Sequence, residues 1–258
     1  MIGTVRRVLR RRIPAPIRLR VALSRRTLRD MVSGQARAIV RTSEPRANGA
    51  CAAEIVAVAQ PIRQSEHWEG KLANLRLAAA RLDGTLVEPG RIFSFWALVG
   101  PPDAANGFRI GRSIRADVLA ADVGGGLCQL SGLAYELGLR AGLTIVERHP
   151  HTQDLYTEAT RFTPLGLDAT IVYGHKDLRL RNDRDAPIAF RFEVDARRVV
   201  GTALSAAPFA AASVEIVKRE DANRRDVRVY RTPHAGARQL MSADVYLSHV
   251  PMTGGSDQ

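Results

Sequence analysis

The sequence predicts an α+β protein, a largely antiparallel sheet with a few helices packed on one face, preceded by a basic N-terminal arm. Three observations predict it. Two segments of the first half, "WEGKLANLRLAAARLDG" and "CQLSGLAYELGLRAG", repeat apolar residues at the three- and four-residue steps of a helix face. From residue 144 onward, β-branched runs follow one another between turn residues, the pattern of antiparallel strands. Helices before and strands after point to the α+β class. Charge is the third observation: residues 1–46 hold 13 arginines against Asp30 and Glu44, nearly all of the net charge of +12, so the remainder is close to neutral. Residues 1–46 therefore read as an arginine-rich arm and residues 47–258 as the folded domain, and the 45% hydrophobic composition of the whole chain is ordinary for a soluble core.

The arm, beginning "MIGTVRRVLRRRIPAPIRLRVALSRR", suits an anionic membrane surface or nucleic acid, and equally a solvated or helical lead-in. It never yields the uninterrupted apolar run of about 7–15 residues that a secretory signal needs. No later segment approaches the roughly 18–20 apolar residues of a membrane span. The expected location is cytoplasmic, peripheral at a membrane if the arm binds lipid. Cys51 and Cys128, the two cysteines, fit a reducing compartment. Cys51 lies among alanines and reads as a small packed residue.

Beyond the arm, "AAEIVAVAQPI" reads as a short strand or buried segment ended by Pro61. The first helix carries Leu72, Leu75, Ala79 and Leu82 on one face and stops at Gly84. "VEPGRIFSFWALVGPP" holds a turn and the short apolar run of Ile92, Phe93, Phe95 and Trp96, and the glycine-rich stretch to Gly126 is expected to be a long loop or hairpin. The second helix starts near Cys128 with Leu130, Leu133 and Leu137 as its stripe and Gly142 as its stop. Cys128 shares a different face with Gly132, Tyr135 and Leu139. "LTIVERH" is a strand with Ile145, Glu147 and His149 on one side and Arg148 on the other. "DATIVYG", "DLRLRND", "PIAFRFEV", "RRVVGTAL", "SVEIVKRE", "DVRVYRT" and "SADVYL" complete the strands.

The chemistry concentrates at "DVGGGLCQLS". A cysteine opening a helix sits among unpaired N–H groups carrying partial positive charge, which lowers its pKa from about 8.5. Preceding glycines let the backbone approach a substrate and supply N–H groups to an oxyanion. A thiol nucleophile needs an imidazole and a group to orient it, which His149 or His151 and then Asp168 offer, an order resembling papain-like and transglutaminase-like thiol enzymes. The alternatives are an inert packed Cys128 with hydrogen-bonded histidines, and a non-catalytic module whose glycine loop holds an anionic or peptide ligand. No cofactor is expected, nor a metal site, since Cys128, His149 and His151 lack the usual ligand spacing.

Together "NLRLAAARLDGTLVEPGRIFSF", "VG", "DVGGGLCQLSGLAYELGLRAGLTIVERHPHT", "GLDATIVYG" and "DLRLRND", spanning about residues 70–190, resemble the VanW family, named from a protein encoded with vancomycin-resistance genes. A β-rich part over 191–250, including "SADVYL", resembles the family's end. Its most recognisable features fall on Gly124, Gly125, Gly126, Cys128, Gln129, Glu147, Arg148, His149 and His151. The resemblance implies a link to glycopeptide resistance and cell-wall metabolism, and so a peptide-like or cell-wall precursor ligand, with the Gly124–Gly126 loop, Gln129, Glu147 and Arg148 as binding residues. It names no reaction. "QDLYTEATRFTPLGLDA" is longer than the family's usual segment between the second histidine and "DA".

Overall fold

In the computed structural model, which describes residues 13–43, 51–64, 66–115, 118–154, 161–221 and 223–248, the first element is a helix drawn from the arginine-rich segment, α1 (Ala15–Val32). Pro16 is tolerated in its first turn because those N–H groups have no helical acceptor to lose. The helix is docked on the body. Asp30 forms a buried two-pronged pair with Arg179, at 2.6 and 2.8 Å, and Arg26 reaches Glu147 and Asp177. After it, Ile39 bridges Ile92 and the Val40 N–H donates to the Ile92 carbonyl at 2.9 Å. Residues 1–12 and 44–50, with the arm's expected boundary, lie outside the described residues, as do 155–160 of the longer segment.

The α+β class holds, with the strands of the described residues shared among four sheets. One orders β1 (Ala53–Pro61), β10 (Arg198–Ser205), β9 (Ile188–Val194) and β2 (Thr85–Val87), all antiparallel. Beside it come α2 (Trp68–Leu82), then β3 (Ile92–Ser94) leading directly into α3 (Phe95–Val99). The switch from strand to helix inside "IFSFWALV" has a local cause: Ser94 accepts from the Ala97 N–H at 3.2 Å and so caps α3. The glycine-rich stretch is a hairpin of β4 (Ile110–Arg115) and β5 (Val118–Val123). It delivers the chain to Gly124–Gly126 and the helix α4 (Leu127–Arg140).

That helix is the centre of the molecule. Leu133 and Leu137 pack on Gly201 of β10, while Gly138 admits Leu180 of β8 (Arg179–Arg181) from another side. Burial on two sides leaves nearly every residue from Leu127 to Leu139 inside, as a helix between two layers requires. β8 lies between β3 and β6 (Thr144–Glu147) in the second sheet. The C-terminal strands β11 (Ser213–Asp221), β12 (Arg224–Thr232) and β13 (Gln239–Ser248) form a third, completed by a short parallel pairing of β13 with β7 (Gln153–Asp154).

One expected strand is absent. "DATIVYG", residues 168–174, holds only an isolated bridge between Val172 and Lys176. Its backbone groups have other partners: the Asp168 carbonyl accepts from Arg148, the Ala169 carbonyl from Ser131, and the Thr170 N–H donates to His149. A β-branched run spends its hydrogen bonds on its neighbours here, and no ladder forms.

Candidate active site

The hairpin turn and helix start build the first wall. Gly126 has φ +99°, a left-handed conformation, and caps α4; a Cβ added there would also lie 2.6 Å from Lys71 Cγ. The Gly124 and Gly125 N–H groups donate to the carbonyls of Arg109 and Asp122, so these two close the turn. The N–H groups of Leu127 and Cys128 fall in the first helical turn, where no helical acceptor exists. Cys128 is half-buried and lines a cavity of about 680 Å³ with His151, Thr170 and Ile171. Lys71, Trp96, Phe162, Tyr173 and Lys176 contribute the surrounding surface.

The second wall comes from the segment around Asp168, which packs on the Cys128/Gly132/Tyr135 face of α4. Gly132 makes this approach possible: a Cβ there would sit 3.3 Å from the Leu167 carbonyl oxygen and 3.6 Å from Asp168 Cα. Ser131 pins the same segment by donating to the Ala169 carbonyl at 2.5 Å. Asp168 is buried, and its Oδ2 accepts both from the His151 backbone N–H and from His151 Nδ1, each at 2.7 Å. Nδ1 is so occupied, and His151 lines the same cavity as Cys128, where each acts on the other's ionisation.

The electrostatics follow from that chain of contacts. Burial opposes ionisation of the Cys128 thiol, yet its hydrogen bond to His151, the imidazolium charge and a backbone hydrogen bond from Ile171 outweigh it and lower the pKa. Burial likewise opposes charge on His151, but Asp168 and Cys128 raise its pKa to about 10. Asp168 is held far below the usual carboxylate range against its own burial, by His151, Arg148 and Tyr246. Thiolate and imidazolium thus stabilise each other.

Of the sequence-derived candidates, Cys128, His151 and Asp168 come together and His149 does not. His149 Nε2 lies 3.0 Å from Glu147 Oε1, and His149 is not among the residues that line the cavity. Glu147 also meets Arg26 and the Asp177 N–H, outside the cavity lining. Arg148 is likewise away from the cavity. Its guanidinium stacks over Tyr135 and binds Asp168, Asp244 and the Gly166 carbonyl. Gln129 borders the cavity while its amide donates to the Pro61 carbonyl at 3.0 Å. Tyr246, from the far C-terminal strand, donates to Asp168 at 2.5 Å and was not singled out by sequence. Its alternating strand pattern carried no sign of that role. Among the described residues no group of acidic, histidine and cysteine side chains could hold a metal ion.

The family model described as VanW like protein matches residues 70–204, just over half of the chain. The chain belongs to the VanW family. Two relatives place it among known sequences. Vancomycin B-type resistance protein VanW of Enterococcus faecalis (strain ATCC 700802 / V583) is 37% identical over 135 residues, 52% of this chain and 49% of the relative. Uncharacterized protein YoaR of Bacillus subtilis (strain 168) is 36% identical over 118 residues, 46% and 37% of the two chains. The match thus spans half or less of each relative's own length. No solved structure matches this VanW-family chain. All three members of the Cys128–His151–Asp168 chain lie inside the matched region.

Proposed function

We propose that the protein is a cysteine-dependent enzyme acting on the acyl or amide bond of a peptide-like substrate. One observation carries the reading: the imidazole held by a buried carboxylate lines the same cavity as a thiol that opens a helix, and each favours the other's charged form. Cys128 is the nucleophile, His151 the acid and base, and Asp168 the orienting acid. The thiolate adds to the carbonyl carbon, and the oxyanion takes hydrogen bonds from the Leu127 and Cys128 N–H groups. His151 passes its proton to the departing amine as the C–N bond breaks, leaving a thioester. Water or a second amine then attacks the thioester with His151 as base, restoring thiolate and imidazolium.

The name of the Enterococcus relative ties that protein to vancomycin resistance, which favours a cell-wall precursor as substrate. The alternative of a glycine-loop binding module is less well supported, because the Gly124 and Gly125 N–H groups are already bonded.

Iodoacetamide labelling with site identification by mass spectrometry tests the nucleophile. Cys51 is the internal reference, since it is 1% exposed and burial raises its pKa. Cys128 is expected to alkylate at neutral pH faster than a free thiol of pKa about 8.5, and His151→Gln to slow it about tenfold or more. Labelling of Cys128 no faster than a free thiol sinks the proposal.

A further inference from the structure

The helix α1 has two faces, and the body covers one of them. At 100° per residue, Leu19, Leu23, Arg26 and Asp30 share the inner face. There Leu19 and Leu23 pack at Gly174, and Arg26 and Asp30 make the ion pairs described above. Ile17, Val21, Leu28, Met31 and Val32 fall within an arc of about 100° on the outer face. They are 44 to 81% exposed, so among the described residues this stripe is unpartnered. Arg25, Arg18 and Arg29 run along one edge and Arg20 along the other, all exposed. The helix's one acidic residue, Asp30, is buried.

We propose that the outer face of α1 lies in the interface of an anionic lipid bilayer, with the apolar stripe among the acyl chains and the flanking arginines on the headgroup phosphates. Charge complementarity selects this occupant. Nucleic acid would engage the arginines and leave five large apolar side chains in water, whereas an anionic bilayer satisfies both. Among the described residues no helix is long and apolar enough to cross a membrane, so the helix rests on the surface. Leu19, on its inner face, lines the Cys128 cavity, which places the bilayer about one helix diameter, ~10 Å, from the cavity wall.

Co-sedimentation of the full chain with phosphatidylcholine vesicles, with and without phosphatidylglycerol, tests this independently of any cysteine chemistry. The wild type is expected to sediment with the anionic vesicles and to be released by salt. Replacing Ile17, Leu28 and Met31 together by Gln should weaken binding at least about tenfold with an unchanged melting temperature, since these side chains touch solvent. Arg20→Gln with Arg25→Gln should cost about fivefold per arginine at low salt. Equal binding to neutral and anionic vesicles, or none to either, overturns the proposal. So does retention of the triple variant's affinity, tight binding to heparin alone, or self-association that the triple variant abolishes, which would give the stripe to nucleic acid or a second copy.

Discussion

His151 and His149 are two residues apart in "ERHPH", and nothing in the sequence distinguishes them as partners for Cys128. The choice is made by Asp168, which takes both the backbone and the ring of His151, while His149 pairs with Glu147. The pH dependence follows. His151 is raised from 6.5 to about 10, so its charge stabilises the fold fully below pH 6.5, and that contribution fades as pH rises towards 10. Urea unfolding of wild type and His151→Gln should therefore show a stability gap that narrows across this window. Asp168 behaves oppositely: its share is present above its ordinary 3.8 and is lost as pH falls. Tyr246→Phe tests the outer support of the pair. It strips the buried Gly166 N–H of its 3.0 Å acceptor and Asp168 of a donor. The expected cost is about 1–3 kcal/mol, measurable by thermal melting, with slower Cys128 alkylation.

Elements were legible where periodicity and punctuation agreed. Leu72, Leu75, Ala79 and Leu82 are all buried on α2, and Gly84, at φ +77°, turns the chain after it. Periodicity failed where tertiary partners claimed the backbone, as at residues 168–174. It was also incomplete at α4, because the face carrying Cys128 and Gly132 looked like the non-core side yet packs on the Asp168 segment. Gly70 supplies a test at this scale. Alanine there would gain about 1 kcal/mol of helix propensity in α2. Its Cβ would, however, stand 1.8 Å from the Ile110 carbonyl oxygen of the hairpin. Backbone overlap of that size outweighs propensity, so Gly70→Ala should destabilise the protein and loosen the hairpin that aims Gly124–Gly126. Hydrogen exchange of β4 and β5 amides, faster in the variant, is the measurement.

At the scale of the whole molecule, the arginine-rich segment joins the body through a buried ion-pair network linking α1, β6 and β8. Asp30→Asn should weaken that join by about 1–3 kcal/mol, less than a fully orphaned buried charge would cost, because Arg179 keeps Asp177 at 3.2 Å. Limited trypsin digestion is the readout, with earlier cleavage at Arg25 and Arg29 than in wild type. By itself the sequence determined the α+β class, the glycine-to-cysteine helix start, the family and the candidate set around Cys128. Those are local properties, written in spacing, turn residues and motif order. Only the tertiary structure decided which histidine meets the thiol, that Arg148 and Tyr246 hold Asp168 from behind, and that α1 forms part of the cavity wall. Each depends on contacts between residues far apart in the chain, such as Asp168 with Tyr246 and Asp30 with Arg179, and sequence spacing carries no record of those distances.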